Sequence, residues 1–284
     1  MKELLNTHHF DIVHNEIYFG GGINLWLAKQ AGISKRIAHS HATTDGKGNK
    51  FPYNIVRPIF NKLMLKHGTD FLACSNEAGI GLFGDKQPFV FVPNGIDLAQ
   101  YREIPISKKT IRDNLSLSED AFVVGHIGRF EEQKNHRLLL QIVKELINEK
   151  PNSYLISVGT GTLEKEIQTL AKTLNIESNV LFLGERDDIP ELMKAMDVFL
   201  MPSLYEGLPM VAVEAQAANL KLVLSKKISP DTMLSENVHF ISLDASIEEW
   251  VKAIIETPLI NKPLPSLEFY DRKNTARMLE KIYE

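Results

Sequence analysis

The fold of this chain is decided by one stretch of sequence, Val198–Gln216, which reads VFLM-PSLYEGLP-MVAVEAQ. Its opening apolar run has the pattern of a strand buried on both faces of a parallel sheet. After a turn, an apolar helix is expected to open near Gly207 to Pro209, because proline suits a first helical turn. Two carboxylates frame this opening, Glu206 before it and Glu214 inside the helix. A carboxylate beside the free N–H groups of a helix N-terminus makes a site for anions and polyols.

The same alternation of apolar runs and helical segments continues along the whole chain. Apolar runs such as Ala121–Ile127 and Ser153–Val158 alternate with amphipathic segments such as Asn135–Glu149. Strand, helix and strand at this spacing are typical of parallel sheets covered on both faces. The sequence therefore predicts an α/β protein with two Rossmann-like, doubly wound domains.

A turn sequence, Pro93-Asn94-Gly95, marks the region between the two predicted domains. We predict an N-terminal domain over residues 1–105 and a C-terminal domain over residues 106–263. A final helix within residues 264–284 follows a Pro-containing linker and is expected to cross back to the first domain. The first domain supplies about four strands, fewer than a doubly wound nucleotide-binding unit normally has. We therefore expect it to be incomplete.

Composition excludes several classes of protein. The 284 residues carry a formal net charge of −4, which argues against a nucleic-acid binder. One cysteine, Cys74, cannot form an intrachain disulfide, and this favours a reducing compartment. The sequence shows neither a signal-peptide pattern nor an apolar run of membrane-spanning length. A cytoplasmic location is expected; the alternative is a peripheral position on the inner face of the membrane.

Two cations follow the strand that opens the second domain. Gly128 lets the backbone turn after that strand, and Arg129 and Lys134 come next, with Asn135 as a candidate N-cap of the following helix. Both cations would stand at strand and helix ends on the side where open parallel sheets bind ligands. We interpret them as a diphosphate site; two solvated surface cations are the alternative.

Two other strand-end loops carry weaker signals. Gly161 ends a G-x-G turn that lacks the third glycine of the dinucleotide fingerprint, so it indicates only a loop that a ligand can approach closely. Arg186 could lie beside a planar base. Its neighbour Asp188 could simply cap the next helix, and the sequence leaves both interpretations open.

Two histidines end a strand of the first domain. Because alternate residues of an extended segment share one side, His39 and His41 are expected to lie together. A metal pair is conceivable, but no cysteine or carboxylate lies at close ligand spacing, and we expect no metal. One histidine facing the ligand is the simpler hypothesis, and we choose His41.

The basic and apolar segment Asn54–Lys66 has two interpretations. It could lie in a membrane interface as an amphipathic helix. We favour packing of one face on the sheet.

These motifs resemble those of family 4 glycosyltransferases, which have the two-domain GT-B fold. The resemblance covers nearly the whole chain. Its main stretches are Val92–Asp97, Gly128–Asn135, Gly184 with the loop after it, and Pro202–Glu214 with the E-x7-E pair. Arg36–Thr43 and Cys74–Gly79 are similar to enzymes that build capsular and extracellular polysaccharides.

The resemblance implies transfer of a sugar from a nucleotide-diphosphate donor, expected to be a UDP-sugar, with retention of configuration. The acceptor would be a polysaccharide or a lipid-linked glycan, and neither a cofactor nor a metal is expected. By the family pattern, Arg129 and Lys134 hold the diphosphate, Glu206 contacts the donor sugar and Glu214 the ribose. His41 and Glu206 are the expected catalytic residues. The expected donor-binding residues are Gly128, Arg129, Lys134, Gly161, Arg186, Ser203, Glu206, Gly207, Leu208, Pro209 and Glu214.

The sequence departs from the family at its beginning. Family members usually start with a further strand–helix stretch that carries a glycine-rich acceptor loop, whereas Asp11–His14 matches a strand from the middle of that domain. A partner chain could supply the missing segment. The alternative function is a truncated, non-catalytic nucleotide-sugar-binding remnant or subunit. A GT-B epimerase would not be expected to read Y-E-G-L-P, and a Rossmann dehydrogenase would need the full dinucleotide fingerprint.

Overall fold

The computed structural model describes residues 2–42, 51–262 and 264–284, and the chain forms two compact units. The N-terminal unit consists of Met1–Gly95 with Phe269–Glu284, and the C-terminal unit is Ile96–Glu268. The boundary thus falls directly after the Pro-Asn-Gly turn, whereas the sequence analysis placed it at residue 105. The predicted end of the second domain, Pro263, lies outside the described residues.

The bounds of the elements follow the predicted alternation of strands and helices. The strands are β1 Ile12–Asn15, β2 Lys35–Ser40, β3 Asp70–Ala73, β4 Val90–Phe91, β5 Phe122–Ile127, β6 Ser153–Val158, β7 Val180–Phe182, β8 Val198–Met201, β9 Lys221–Ser225 and β10 Val238–Ile241. The helices are α1 Lys2–Thr7, α2 Gly21–Gln30, α3 Tyr53–His67, α4 Asn76–Phe83, α5 Leu98–Arg102, α6 Lys108–Asn114, α7 His136–Glu149, α8 Glu164–Thr173, α9 Ile189–Ala195, α10 Met210–Ala217, α11 Ile247–Glu256 and α12 Arg272–Tyr283. Short helices α1, α5 and α6 had no predicted counterpart, since their sequences lack a long amphipathic pattern.

The C-terminal unit contains a six-stranded parallel sheet in the order β10-β9-β8-β5-β6-β7. From β5 the chain proceeds outward to β7 and then returns to lay β8 against the other side of β5. This reversal is a topological switch point, and the loops that leave β5 and β8 diverge from it. Open α/β sheets bind ligands at this place, beyond the carboxyl ends of the strands.

Both faces of this sheet are buried, which explains the continuous apolar strands. Val123 and Phe199 face one core, which α6, α9 and α10 cover. Val124 and Leu200 face the opposite core, which α7, α8 and α11 cover. Adjacent residues of one strand therefore enter different cores, as the two-residue period of a strand requires. The predicted α/β class is confirmed.

The N-terminal unit contains a four-stranded parallel sheet in the order β1-β2-β3-β4. Helices α2, α3 and α4 cover one face, around Leu25 and Met64. Helix α12 covers the other face, where Met278, Leu279 and Ile282 pack on buried strand residues. The last helix of the chain is therefore part of the N-terminal unit.

Helix α3 contains the basic and apolar segment that the sequence left with two interpretations. Met64 is fully buried and Phe60 packs on the same core, so one face of the helix lies on the unit. Ile55 and Ile59 are each 55% exposed. Among the described residues, no helix combines the length and the apolarity that crossing a membrane requires.

A buried arginine holds the start of the C-terminal unit together. Arg112 of α6 is only 4% exposed. Its guanidinium donates to the carbonyl of Ala195 and to Asp197 Oδ2 at 2.8 Å, and also to the carbonyls of Glu119 and Ala121. The same carboxylate oxygen accepts the backbone N–H of β5 residue Val123. One side chain thus links α6 to β5 and to the turn before β8.

We predict that Arg112→Met destabilises the C-terminal unit by about 3–5 kcal/mol, because it leaves buried carbonyls without their donor and removes one of the cations that pair with Asp197. Urea unfolding followed by circular dichroism measures this free energy. Lys109→Met is the matched control, since Lys109 lies on the same helix and pairs with Asp113 in solvent. Equal midpoints for the two variants would contradict the structural role of Arg112.

Two neutral histidines lie beneath the switch point. His126 is fully buried and donates from Nδ1 to the carbonyl of Leu200 at 2.8 Å. His136 stacks on Phe130 with ring centroids 4.2 Å apart. Burial lowers the pKa of His136 to about 4, with a smaller contribution from the positive charge of Lys134. Burial also lowers the pKa of His126 well below its ordinary value.

We predict that the free energy of unfolding falls as the pH drops from about 6.5 to about 4. In this window the histidines bind protons in the unfolded state but stay neutral in the folded state. Each such histidine can therefore lower the free energy of unfolding by up to about 1.4 kcal/mol per pH unit. Denaturant unfolding at several pH values measures the slope. His136→Gln should make it shallower, whereas the exposed control His9→Gln should leave it unchanged. A wild-type slope in His136→Gln would contradict the assignment.

Candidate functional site

The loops after β5 and β8 are joined to each other at the switch point. The backbone N–H of Leu204 donates to the Gln133 carbonyl at 2.8 Å. The side chain of Gln133 donates to the carbonyl of Tyr205, and that of Asn135 to the carbonyl of Pro202. These bonds hold the β5–α7 loop against the β8–α10 loop. Residues that the sequence places far apart are therefore fixed side by side.

Lys134 and Glu206 form an ion pair across the two loops. Lys134 Nζ lies 2.7 Å from Glu206 Oε1, and the side chains are only 15% and 12% exposed. The backbone of Glu206 is anchored as well, since its carbonyl accepts the N–H of Ser229 at 3.1 Å. The two residues predicted to contact the diphosphate and the sugar thus lie together and are held in place before any ligand arrives.

Arg129 lies in the same loop as Lys134, is exposed, and has no ion-pair partner within the described part of the chain. Gly128, which precedes it, makes room for the lysine, because a Cβ at this position would lie 3.0 Å from Lys134 Cε. The arrangement leaves one cation free to meet an anion and a second one oriented by a carboxylate.

Helix α10 begins at Met210, slightly later than the sequence predicted. Pro209 is its N-cap residue, with φ −72° and ψ 117°, so it precedes the first helical turn instead of opening it. Among the described residues, nothing accepts a hydrogen bond from the backbone N–H of Gly207 or Leu208. These groups and the start of α10 give the loop a partial positive charge.

The glycines of the β6–α8 loop serve contact between loops. A Cβ at Gly161 would lie 2.6 Å from the carbonyl oxygen of Phe130. Gly159 has a φ of +132°, and its Cβ would lie 2.2 Å from the Gly128 oxygen. The neighbouring strand-end loop thus occupies the space that a side chain would take, which explains why both positions are glycine. That a ligand also approaches the backbone at Gly161 stays a prediction.

Glu214 has an internal partner that the sequence did not indicate. Burial raises the pKa of Glu214, and a hydrogen bond from the hydroxyl of Tyr101 opposes the rise. Burial and the charge of Glu214 likewise raise the pKa of Tyr101 above its ordinary value. From the sequence, either a bound ligand or a salt bridge could be the partner of this carboxylate. In the structure its partner is the phenol hydroxyl of Tyr101 in α5.

Arg186 and Asp188 pair with each other. The guanidinium donates from Nε and Nη2 to the two carboxylate oxygens at 2.7 and 2.6 Å. Asp188 stands at the N-cap position of α9 but makes no side-chain capping bond. Its carboxylate is engaged by Arg186, so the capping interpretation is wrong.

Two further site predictions are refined by the structure. Asn135 occupies the N-cap position of α7 in a left-handed conformation, with φ 53° and ψ 48°, and makes no capping bond because its amide donates to Pro202. The hydroxyl of Ser203 is fully buried and has no hydrogen-bond partner within the described ranges. Its carbonyl accepts the hydroxyl of Ser225 at 2.5 Å, which ties the loop to β9.

The predicted histidine of the N-terminal unit belongs to a larger cluster. The rings of His39 and His41 have centroids 4.0 Å apart, as their spacing predicts. His39 is buried, and burial together with the charges of His41 and His14 lowers its pKa to about 3. His41 is more exposed; its Nδ1 lies 2.9 Å from Asn94 Oδ1 and its Nε2 lies 3.8 Å from Glu16 Oε1.

Sequence reasoning missed Tyr101, His14 and Glu16. Tyr101 lies in a short helix with no long apolar pattern, so nothing in the sequence indicated that it contacts Glu214. The spacing His14-x-Glu16 was a usable signal, since it repeats the two-residue period of His39-x-His41 on a neighbouring strand.

Comparison with known proteins identifies the family of this chain. The family model described as "Glycosyl transferases group 1" matches residues 107–265. The chain is 34% identical over 259 residues to the putative glycosyltransferase EpsF of Bacillus subtilis, covering 89% of this chain and 67% of that protein. It is 31% identical over 238 residues to an Escherichia coli enzyme named UDP-Gal:alpha-D-GlcNAc-diphosphoundecaprenol alpha-1,3-galactosyltransferase, covering 79% of this chain and 60% of the relative.

A solved structure supports the fold. The crystal structure of Anabaena Alr3699/HepE in complex with UDP-glucose superposes with a TM-score of 0.77 at 22% identity, covering 98% of this chain and 81% of that one. The two Rossmann-like units are therefore those of the GT-B fold. Since the family model covers more than half of the sequence and a relative above 30% identity is matched over two thirds of its length, the chain belongs to the group 1 glycosyl transferases.

Proposed function

We propose that the C-terminal unit binds a nucleotide-diphosphate sugar and that the protein transfers this sugar, with retention of configuration, to a polysaccharide or lipid-linked acceptor. The observation that carries the proposal is the Lys134–Glu206 pair at the switch point, with Arg129 exposed in the same loop as Lys134. A UDP-sugar is the proposed donor. The Escherichia coli relative is named for a UDP-Gal donor and the Anabaena protein was crystallised with UDP-glucose, which supports this choice.

The charges at the switch point suit the departure of a nucleoside diphosphate. When the bond between the anomeric carbon and the diphosphate breaks, negative charge grows on a phosphate oxygen. Arg129, Lys134 and the N-terminus of α10 can stabilise that charge. Groups that are already in place before the reaction need little reorganisation when the charge develops. The backbone N–H groups of Gly207 and Leu208 add uncommitted donors.

Glu206 and Glu214 are proposed to contact different parts of the donor. Glu206 lies at the ion pair, where the phosphate would end and the sugar begin, and it can accept hydrogen bonds from sugar hydroxyls. Glu214 interacts with the Tyr101 hydroxyl, which opposes the rise of its pKa on burial, and its carboxylate is proposed to accept hydrogen bonds from the ribose hydroxyls. His41 of the N-terminal unit is the second proposed catalytic residue, and the proposed reaction needs no metal.

The chain spans 67% and 60% of the lengths of the two relatives described above. We therefore propose, for the protein as a whole, that it transfers the sugar. Donor binding and turnover are to be measured separately. Acceptor recognition is proposed for the N-terminal unit, with or without a partner chain. A cytoplasmic location at the inner face of the membrane is proposed with it, since the proposed acceptor is lipid-linked.

We predict that the purified chain binds a UDP-sugar by calorimetry and releases UDP when a membrane-derived acceptor is added. A panel of UDP- and GDP-sugars identifies the donor. Lys134→Met should weaken binding about 10- to 100-fold, the effect of losing one charge-assisted contact. Lys172→Met, a cation at the end of α8, is the control. Binding without UDP release supports the donor-binding alternative, and absence of binding to every donor refutes both functions.

We predict that the two carboxylates respond differently to UDP and to the UDP-sugar selected by that panel. Glu206→Gln should weaken the UDP-sugar more than UDP, because UDP lacks the sugar that Glu206 would contact. Glu214→Gln should weaken both ligands by the same factor, because both contain the ribose. Calorimetry with each ligand gives the two ratios. If Glu214→Gln affected the UDP-sugar alone, the ribose assignment would be wrong.

A further inference from the structure

A cluster of ligand-type side chains lies at the carboxyl ends of β1 and β2 in the N-terminal unit. The strands pair in parallel with His14 level with Ile37, so Glu16, just beyond β1, comes level with His39. Alternate residues of a strand share a face, and His14, Glu16 and His39 therefore project to the same side of the sheet. Their ligand atoms all lie within 4.8 Å of one another.

The spacing of the two imidazoles is close to that of a metal site. His14 Nε2 and His39 Nδ1 are 3.1 Å apart. A tetrahedral zinc ion with bonds of about 2.0–2.2 Å holds its ligand atoms about 3.2–3.6 Å from one another. The side chain of Glu16 is 65% exposed, and its Oε1 lies 3.8 Å from His41 Nε2. A carboxylate oxygen of Glu16 is also within 4.8 Å of the ligand nitrogens of both imidazoles.

An outer partner orients the first imidazole. His14 Nδ1 lies 2.7 Å from the hydroxyl of Tyr283, which α12 carries across this face of the sheet. A ligating histidine usually donates its second ring N–H to such a partner, which fixes the tautomer and turns the other nitrogen towards the metal. With Nδ1–H donating to Tyr283, His14 presents the Nε2 lone pair to the cluster.

We propose that His14, Glu16 and His39 form a binding site for one divalent transition-metal ion, with zinc as the best match. Two imidazoles and one carboxylate form a ligand set that zinc accepts, whereas magnesium and calcium prefer oxygen ligands alone. Three protein ligands leave a fourth position open for water or another small ligand. The site lies within the N-terminal unit, and its existence does not depend on the proposed donor chemistry.

Calorimetry of the tag-free chain with zinc sulfate tests the site, and cobalt(II) provides a second probe through its visible absorption. One zinc ion per chain is expected to bind, while magnesium chloride should give no heat of binding. Glu16→Gln and His14→Gln should each weaken zinc binding more than tenfold. Tyr283→Phe should weaken it about tenfold, because it removes only the outer hydrogen bond. Because His39 is buried, its substitution could disturb folding. The decisive variant is therefore Glu16→Gln, at an exposed position.

The double variant His8→Asn/His9→Asn is the matched control, since it removes two exposed histidines of the same unit and should keep the wild-type zinc affinity. Far-ultraviolet circular dichroism verifies that each variant is folded. Wild-type affinity in folded Glu16→Gln, or loss of binding in the control, would overturn the proposal. So would absence of stoichiometric zinc binding to the wild-type chain, which would leave His14 and His39 as a hydrogen-bonded pair only.

Discussion

The parallel pairing of β5 with β8 is the constraint on which the candidate donor site depends. It reverses the direction in which strands are added to the sheet, so the loops leaving these two strands diverge and leave a cleft between them. Hydrogen bonds from Gln133 and Asn135 then fix the spacing of the loops. The buried Arg112 secures the same region from below, through Asp197. The functional groups thus stand on a rigid base.

The polar groups of the site are engaged with one another before any donor is bound. Lys134 has Glu206, Glu214 has Tyr101, and Arg186 has Asp188. A half-buried charge without a partner is costly, and these pairings offset that cost. They also limit the side-chain freedom that a ligand would have to remove on binding. Arg129 is different, since it is exposed and has no ion pair among the described residues.

The N-terminal unit shows how one helix can shape a cluster. Helix α12 buries the apolar half of one sheet face with Leu279 and Ile282, and it brings Tyr283 to the polar half. His14 and His39 consequently lie between a packed core and an exposed strand end. The pKa of both histidines is lowered by burial, while Glu16 on the same face remains in solvent. This mixed environment arises where two strands and a helix distant in sequence meet.

The sequence by itself determined the fold class, nearly all long elements and the family, because apolar period and turn chemistry are local properties that survive without tertiary contacts. It also singled out Lys134 and Glu206, which the fold brings to 2.7 Å. Only the tertiary structure decided the partners of individual groups: Tyr101 for Glu214, the neighbouring loop for Gly161, and Glu16 beside His39. Those partners come from strands and helices distant in sequence, and their meeting depends on strand register and helix packing, which no local pattern encodes.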